Sequence, residues 1–477
     1  MNFLLLTIVV LPLFNCFANV AIAENKIKIL VEKFSMIFSF AALIGLYNKL
    51  EDAHSLEIMG LTSELSIKFA VNNENISYLF LLNFIWLTYG FHAERFLAIS
   101  ANKNIFQFKI FFAFTIALIN LVILANNLPT LLLAYNCLAL SCYFLTTKFL
   151  FKATNSSSKI FLFLIFIESF LLLFAIIITA KFGGQLTFSK EGILNNVGSI
   201  KTASLFLLYF GGILLTILSS SNLLFYRNCD ADSPSIYLLL PLFFGIAKLY
   251  IFTKVIIEVF GIGVFSAIIS KINLEILAFI FLANLLISLV LLLFSRDFKA
   301  IFFHLFFSQL IAAFFAIILY ALYDEASIYS AMPNLILSVT LIFLTFSNLI
   351  LYLKKAENKD MVGLFFQMKI TVFLLLFGFL NLCGIVPSLG MVEKYSLLKI
   401  IFQNNLIIAQ AFFILNSLCL FLFTVKLFFP LFLKSEIVRS ENDKKLAAKI
   451  DSASSLMLSA LVVAAIIFVL PIIQFFE

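Results

Sequence analysis

Residues 370–394 read ITVFLLLFGFLNLCGIVPSLGMVEK, and this stretch carries the most informative fold signal in the sequence. Its first half is a continuous apolar run. Gly384, Pro387 and Gly390 interrupt the second half, because proline lacks a backbone N–H and glycine readily leaves the helical region. Backbone that unwinds inside hydrocarbon has to be buried in protein or line a cavity. Such a break beside a lysine, here Lys394, is typical of secondary transporters built from inverted repeats. The stretch therefore predicts a broken membrane helix near 384–390.

The rest of the chain is equally apolar. Of its residues 63% are hydrophobic and 12% charged, and the mean hydropathy is +1.13. A soluble domain is about 25% charged, so this chain cannot cover itself with water-facing side chains. The apolar mass is rich in phenylalanine, with 62 residues against a single tryptophan, and it lacks a tryptophan belt. These figures exclude a soluble enzyme and indicate an integral membrane protein in contact with the lipid bilayer.

Apolar stretches long enough to cross about 30 Å of hydrocarbon recur along the chain. We therefore predict an all-α integral membrane protein with about 14 transmembrane helices. The stretches lie at 3–22, 35–48, 76–92, 107–125, 129–147, 160–180, 202–224, 236–257, 275–294, 301–320, 332–353, 370–392, 400–425 and 453–475.

The first stretch has two interpretations. Ala21-Ile22-Ala23 resembles a signal-peptide cleavage site, but no lysine or arginine precedes the apolar core. We favour a retained first helix and keep the signal peptide as the alternative.

The basic residues predict the sidedness. Connections after odd-numbered stretches hold most of the 32 lysines and arginines, beginning with Lys26, Lys28 and Lys33 and continuing with Lys103 and Lys109. Basic residues stay on the cytoplasmic side, so both termini are predicted outside. This orientation suits a multi-pass protein of a bacterial inner membrane. An organellar membrane is the alternative location. The net charge of +7 reflects this topology and does not indicate nucleic-acid binding.

No connection is long enough for a soluble domain. The longest are 49–75, which is acidic and predicted outside, and 426–452, which is basic and predicted inside. Residues 440–450 fit either a short amphipathic helix on the bilayer surface or a solvated loop.

Motifs of soluble active sites are missing from the sequence. It has no GxxxxGK[ST], GxGxxG or HExxH, and its six cysteines form no CxxC pair. The three histidines His54, His92 and His304 are too few for haem ligation by paired histidines. We expect no catalytic residue, no metal site and no cofactor in this chain.

Ionisable residues inside apolar stretches are the remaining functional candidates. A charge in hydrocarbon costs at least about 2.5 kcal/mol, so such residues face a partner or a wet cavity. They are Glu168, Lys248, Lys254, Glu258, His304 and Lys394. Glu168 and Lys248 lie mid-helix and fit an ion pathway or a structural ion pair. Lys254 and Glu258, four residues apart, fit pairing or snorkelling, and His304 fits a capping or interfacial residue.

A second break is predicted in the first half of the chain. Pro241 and Gly245 precede Lys248, and they are placed to play the part that 384–390 plays before Lys394.

Five short pieces between about residues 70 and 430 carry a resemblance to a known family. They are the NISYLF stretch from Asn75, the NLPTLLLAYN stretch from Asn127, Asp230-Ala-Asp-Ser-Pro-Ser, Arg296-Asp297-Phe-Lys299 with Ser308-Gln309, and Gly384 to Lys394. In these pieces, and in their order, the chain resembles the antiporter-like membrane subunits shared by respiratory complex I (NADH:quinone oxidoreductase) and the Mrp-type multisubunit Na/H antiporters.

The resemblance implies an organisation and a function. Residues 1–104 would hold three N-terminal helices, 105–258 and 274–426 two inverted five-helix repeats, and 427–477 a cytoplasmic loop with the last helix. In this family, mid-membrane Glu, Lys and His residues pass protons, and other membrane subunits complete the complex. The chain would then move protons or Na, with any NADH chemistry left to partner subunits.

Several of the family's charge positions hold uncharged residues in this sequence. Asn136 stands at the fifth-helix glutamate position, and Leu218 and Ile246 stand at the seventh- and eighth-helix lysine positions. In the eleventh helix, Ser338 and Ile342 occupy the positions of a histidine and a lysine. An asparagine cannot serve as proton donor and acceptor, and leucine and isoleucine cannot bind a proton, so the chain resembles a divergent member of the family.

Lys394 alone keeps the family's pattern. Lys248 is displaced by two residues, about 200° around the helix, and Glu168 can replace Asn136 only if its helix packs next to the fifth. We predict an ion pathway through Lys394, Lys248, Glu168 and Lys254. The alternatives are a non-transporting structural or assembly paralogue and an unrelated lipid or solute carrier.

Overall fold

A computed structural model describes most of the chain. The described residues are 2–22, 24–49, 54–60, 66–100, 105–150, 156–183, 186–195, 199–218, 239–295, 297–355, 361–433 and 440–451. The predicted last span at 453–475, the Asp230–Ser235 motif, and Arg296 lie outside them. Within these ranges the architecture is all-α, apart from one pair of antiparallel strands.

The helices follow the predicted apolar stretches. Their bounds are α1 Asn2–Ala21, α2 Asn25–Tyr47, α3 Asn73–Ser100, α4 Ile105–Leu124, α5 Leu128–Leu145, α6 Ser156–Gly183, α7 Ser199–Leu218, α8 Leu239–Lys254, α9 Ile262–Ile272, α10 Leu274–Phe294, α11 Phe298–Tyr323, α12 Ala331–Lys355, α13 Lys369–Cys383, α14 Leu389–Gln403, α15 Ile407–Phe432 and α16 Glu441–Asp451. Within the described residues, 10 helices are long and apolar enough to cross a membrane, or 11 if one bent pair counts as a span. The predicted all-α membrane fold is confirmed.

Two groups of helices pack side by side. In the first, α4, α5, α6 and α7 pack in sequence, and α8 lies against α4, α5 and α7. In the second, α10 to α13 pack in sequence, and α15 lies against α10, α13 and α14. The groups meet where α11 and α12 contact α8, while α1 packs against α4, and α2 packs against α1 and α3. Helix α11 lies in the core, because its residues are buried almost throughout.

The first-half break does not occur where the sequence predicted it. Pro241 and Gly245 lie inside the continuous helix α8, because proline in a first turn costs no intrahelical hydrogen bond. The chain instead continues through a π-type segment, Val255–Phe260, and turns by 102° into α9 at Gly261. Gly261 has φ +73°, and a Cβ there would lie 2.4 Å from the Glu191 carbonyl oxygen, so the turn requires glycine.

The connection at 49–75 contains a β-hairpin that helical patterning did not predict. Strands β1 His54–Gly60 and β2 Ser66–Val71 pair antiparallel. The hairpin is tied to the α4–α5 turn, where the Asn126 backbone N–H donates to the Lys68 carbonyl at 2.9 Å and the Asn127 side chain donates to the Ser66 carbonyl at 2.5 Å. The hairpin therefore covers the ends of α4 and α5.

Residues 441–451 form a helix, α16, which packs against α12 and α13. Its last residue, Asp451, accepts hydrogen bonds from the Thr371 backbone N–H and hydroxyl, both at 2.9 Å. A carboxylate at this place satisfies otherwise free N–H groups and complements the helix dipole. The segment after α15 thus caps α13, the first half of the broken helix.

Some basic residues assigned to connections lie on helices. Lys26, Lys28 and Lys33 belong to the first turns of α2, and Lys109 lies in α4. Lys109 is buried and forms an ion pair with Glu32 of α2. A buried carboxylate offsets the cost of burying the ammonium, and this partner is 77 residues away in sequence. Lys109, which the sidedness prediction assigned to a connection between helices, is therefore a core residue.

Candidate functional site

Lys248 of α8 and Glu168 of α6 form a fully buried ion pair. The Lys248 Nζ donates to both carboxylate oxygens, at 2.7 and 2.8 Å, and also to the Thr216 hydroxyl of α7. Two more donors reach the carboxylate: the Thr216 backbone N–H at 2.7 Å and the Tyr135 hydroxyl of α5 at 3.0 Å. We call these four residues the Lys248 pocket. It joins α5, α6, α7 and α8.

The pocket depends on close helix packing. Glycine at 212 lets α7 approach α6, since a Cβ there would lie 2.7 Å from a Leu172 side-chain atom. The Lys248 ammonium also lies 4.6 Å from the centre of the Phe244 ring, one turn earlier on α8. Such a cation–π contact adds to the stabilisation of a desolvated charge.

Opposite faces of α8 differ in polarity. Ile246 lines an apolar cavity of about 10 Å³ with Tyr78 of α3 and Ile336 of α12. Lys248 lines another small space on the far face, beside Phe307 of α11. Ile246 thus faces α3 and α12, whereas Lys248, two residues later, faces α6 and α7.

The broken helix forms a defined polar turn. Helix α13 ends at Cys383, and Gly384 adopts a left-handed conformation with φ +76°. Helix α14 begins at Leu389, where the Ser388 hydroxyl accepts from the Met391 backbone N–H at 3.3 Å. A left-handed glycine that ends a helix and a serine that caps the next satisfy most of the released backbone groups. The predicted interruption at 384–390 thus exists as a C-cap followed by an N-cap.

Lys394 lies over this turn and reaches back to it. Its Nζ donates to the Leu382 carbonyl of α13 at 2.6 Å and to the Ser417 hydroxyl of α15 at 2.9 Å. A Cβ at position 384 would lie 2.7 Å from the Lys394 Cδ, so the side chain crosses directly over Gly384. The ammonium therefore sits at the carbonyl end of a half-helix, where the helix dipole favours a cation.

Amide side chains extend the polar region away from Lys394. The Asn381 side chain donates to the Asn334 Oδ1 of α12 at 2.7 Å and to the Ser338 hydroxyl, and its own oxygen accepts from the Gly390 backbone N–H at 2.8 Å. Asn334 in turn donates to the Glu393 carboxylate at 2.5 Å. This network crosses from α13 through α12 to α14.

A cavity of about 30 Å³ opens between these groups. Its polar lining consists of Gln309, Asn334, Glu393, Lys394 and Asn416. The space exceeds the roughly 10–15 Å³ that a water molecule requires, and several polar partners surround it. We call the lining residues and the network of Asn381 and Ser338 the Lys394 cluster. The break therefore borders a space that suits water or a small ion.

Lys254 lies outside both regions. Its Nζ donates to the Ala125 carbonyl at 2.6 Å, lies 3.7 Å from the Glu258 carboxylate, and stands 4.6 Å from the centre of the Phe188 ring. These contacts join α8 to the α4–α5 turn and the 186–195 segment. They match the pairing interpretation of Lys254 and Glu258 and offer no link to the Lys248 pocket.

The remaining predicted positions are apolar or part of the core. Leu218 is the last described residue of α7, and Ile342 packs into the groove at Gly378 of α13. His304 was expected near an interface, but it is buried within α11. Asn136 is partly buried, and its Oδ1 has no hydrogen-bond partner among the described residues. The described part of the chain contains no group of three metal-ligating side chains.

Sequence reasoning missed several members of the two regions. Glu393 was noted only as part of the broken-helix motif, although an acidic residue directly before Lys394 was a usable signal. Tyr135 and Thr216 carry no sequence signal for a role beside Glu168, because their relevance depends on how α5, α6 and α7 pack.

Comparisons with solved structures define the class of fold. A chain of the Mrp complex from Dietzia sp. DQ12-45-1b superposes with a TM-score of 0.77 at 14% identity, over 98% of this chain and 94% of that one. A chain of the membrane-bound sulfane sulfur reductase, an archaeal respiratory membrane complex, superposes with a TM-score of 0.74 at 16% identity, over 96% and 75%. No family model and no curated protein matches.

The fold is therefore shared with membrane chains of the Mrp complex and of a respiratory complex. The sequence motifs resembled those of antiporter-like subunits, and the shared fold confirms this resemblance at the level of the fold.

Proposed function

We propose that this chain is an ion-translocating membrane subunit of a complex I-like or Mrp-like assembly, which moves protons or Na through the Lys394 cluster. The observation that carries the proposal is the position of Lys394: its ammonium binds the Leu382 carbonyl at the end of α13, beside the helix break, and it lines a cavity together with four other polar side chains. Ionisable groups in apolar helices are costly and commonly mark ion pathways. We further propose that 105–258 and 274–426 are the two inverted repeats.

The Lys248 pocket is a candidate for a second proton-exchange site, in the first repeat. A carboxylate and an ammonium in direct contact can exchange a proton without leaving net charge in the membrane interior. Glu168 provides the acidic group that Asn136 lacks, and α6 packs beside α5 as this replacement requires. Lys254 is a weaker member of the pathway, because its contacts are those of a structural link.

The proposal assigns redox chemistry to other subunits. Neither the Lys248 pocket nor the Lys394 cluster offers ligands for flavin, iron–sulfur or nicotinamide groups, so partner subunits would hold them. A bacterial inner membrane with both termini outside remains the proposed location.

A non-transporting structural or assembly subunit is the second candidate. The apolar cavity at Ile246 and the packing of Ile342 against α13 favour it, because both positions, where the resemblance implies a lysine, have apolar surroundings. Such a subunit would keep the fold and the buried ion pairs for stability alone.

Ion flux in vesicles holding the native assembly tests the proposed function. A tagged chain is used to purify its complex, which is then reconstituted, and proton and Na uptake are measured with a pH-sensitive dye and radioactive sodium. We expect other membrane subunits to copurify, and flux clearly above that of protein-free vesicles. Purification of the chain alone, or vesicles without flux, would contradict the proposal.

A further inference from the structure

Glu393 and Lys394 are neighbours in sequence but face different helices. Successive residues of an α-helix point about 100° apart. The Glu393 carboxylate accepts from Asn334 of α12, whereas the Lys394 Nζ reaches α13 and α15. Both side chains line the same cavity. The pair therefore spans the cavity from the α15 side to the α12 side.

The groups around Glu393 suit a proton better than a metal cation. The amide nitrogen of Asn334 points at the carboxylate, and the Asn334 and Asn416 side-chain oxygens already accept hydrogen bonds from Asn381 and Gln309. A sodium ion beside Glu393 would face an N–H donor and the Lys394 ammonium, and few free oxygen ligands. A proton needs only the carboxylate oxygen itself.

Helix α12 supplies no titratable side chain to the cavity. Its contributions to the lining are Asn334 and Leu335, and one turn further the network ends at Ser338. Within the lining, Glu393 is thus the group that faces α12 and can bind a proton. From α11, Tyr320 donates to the Glu393 backbone carbonyl at 3.3 Å and holds this part of α14 in place.

We infer that Glu393 is the proton-accepting partner of Lys394. The Lys394 ammonium gives a proton to a water molecule in the cavity and becomes an amine. The water molecule passes a proton on to the Glu393 carboxylate, which becomes a carboxylic acid. One N–H bond breaks, one O–H bond forms, and the site stays neutral overall. Glu393 then passes the proton to a water molecule on its α12 side and becomes a carboxylate again, and a proton delivered by water on the α15 side restores the Lys394 ammonium. This inference rests on the proposed function.

The test compares Glu393→Gln with Lys394→Ala in vesicles holding the native assembly. Glu275→Gln is the matched control, because Glu275 is an exposed acid in the first turn of α10. We expect Glu393→Gln to lower proton flux at least about tenfold, since a positioned acid–base group contributes about a hundredfold or more. The control should keep the wild-type flux.

The outcomes separate this inference from the proposed function. If wild-type vesicles show no flux, the proposed function fails. If Lys394→Ala abolishes proton flux and Glu393→Gln leaves it unchanged, only the role of Glu393 fails. Loss of Na flux with normal proton flux in Glu393→Gln would overturn the assignment of the proton.

Chemical labelling keeps the inference testable if Glu393→Gln does not assemble. A hydrophobic carbodiimide modifies carboxyl groups that carry a proton inside a membrane. We expect labelling of Glu393 in the wild-type assembly, detected by mass spectrometry, and a parallel loss of proton flux. Absence of label at Glu393 while the assembly conducts protons would overturn the inference.

Discussion

Lys248→Met is expected to lower the free energy of unfolding by about 3–5 kcal/mol, the range observed when one partner of a buried ion pair is removed. The substitution keeps the length of the side chain but leaves the Glu168 carboxylate without its ammonium. The remaining Thr216 and Tyr135 donors satisfy hydrogen bonds and cannot neutralise the charge. Thermal unfolding of the purified assembly in detergent measures the effect.

A double variant and an exposed pair provide the controls. Lys248→Met with Glu168→Gln should cost much less than the sum of the single changes, because no unpaired charge remains. Lys445→Met, which removes an exposed pair with Glu441 at 3.7 Å, should change unfolding little. Equal, small effects of Lys248→Met and Lys445→Met would show that the Lys248 pocket does not hold α6 to α8.

Gly390→Ala is expected to disrupt the junction of α13 and α14. A Cβ at this position would lie 1.9 Å from the Asn381 carbonyl oxygen and 2.9 Å from its carbonyl carbon. Both are backbone atoms, so the two half-helices have to move apart. Overpacking of this kind costs about 1–3 kcal/mol or more, and it would also break the hydrogen bond from Gly390 to Asn381. We expect lower thermal stability and loss of ion flux together.

Gly263→Ala is the matched control for this change. Gly263 lies in α9, and a Cβ there would meet no atom within 4 Å. Alanine has the higher helix propensity, so stability should be equal or slightly greater. A Gly390→Ala variant that unfolds at the same temperature as Gly263→Ala would contradict the close approach of α13 and α14.

Local signals in the sequence predicted the break well. Gly384, Pro387 and Gly390 act within a few residues, so their effect on the backbone can be read directly from the chain. The long apolar runs likewise predicted helices. The same reasoning failed at Pro241, because a proline in the first turn of a helix does not break it, and the turn at Gly261 depends on a contact with the distant Glu191 backbone.

Local sequence patterns could not predict ion pairs between residues that are far apart in the chain. Glu168 and Lys248 were singled out as separate residues, but their direct contact across 80 positions depends on how α5 and α7 each pack against both α6 and α8. Lys109 was assigned to a connection since its partner, Glu32, is visible only in three dimensions. Glu393 was overlooked because its orientation toward α12 follows from where the interrupted helix resumes.

The two polar regions are separated by apolar packing. Phe307 and Leu310 of α11 line the space beside Lys248, whereas Gln309 and Ala312 of the same helix line the cavity at Lys394. The spaces beside Lys248 and Lys394 are therefore lined by different residues of α11. The proposed conduction therefore takes place at the Lys394 cluster. The Lys248 pocket is proposed as a separate ionisable site in the first repeat.

The most direct test of conduction at the Lys394 cluster is the proton and Na flux of vesicles holding the native assembly with Lys394→Ala, compared with Lys399→Ala. Lys399 lies on the same helix α14 and is exposed, so it controls for the loss of a lysine. We predict flux near the protein-free background for Lys394→Ala and wild-type flux for Lys399→Ala, with equal subunit content in both. Wild-type flux in a correctly assembled Lys394→Ala complex would contradict conduction at this cluster and would favour a structural subunit.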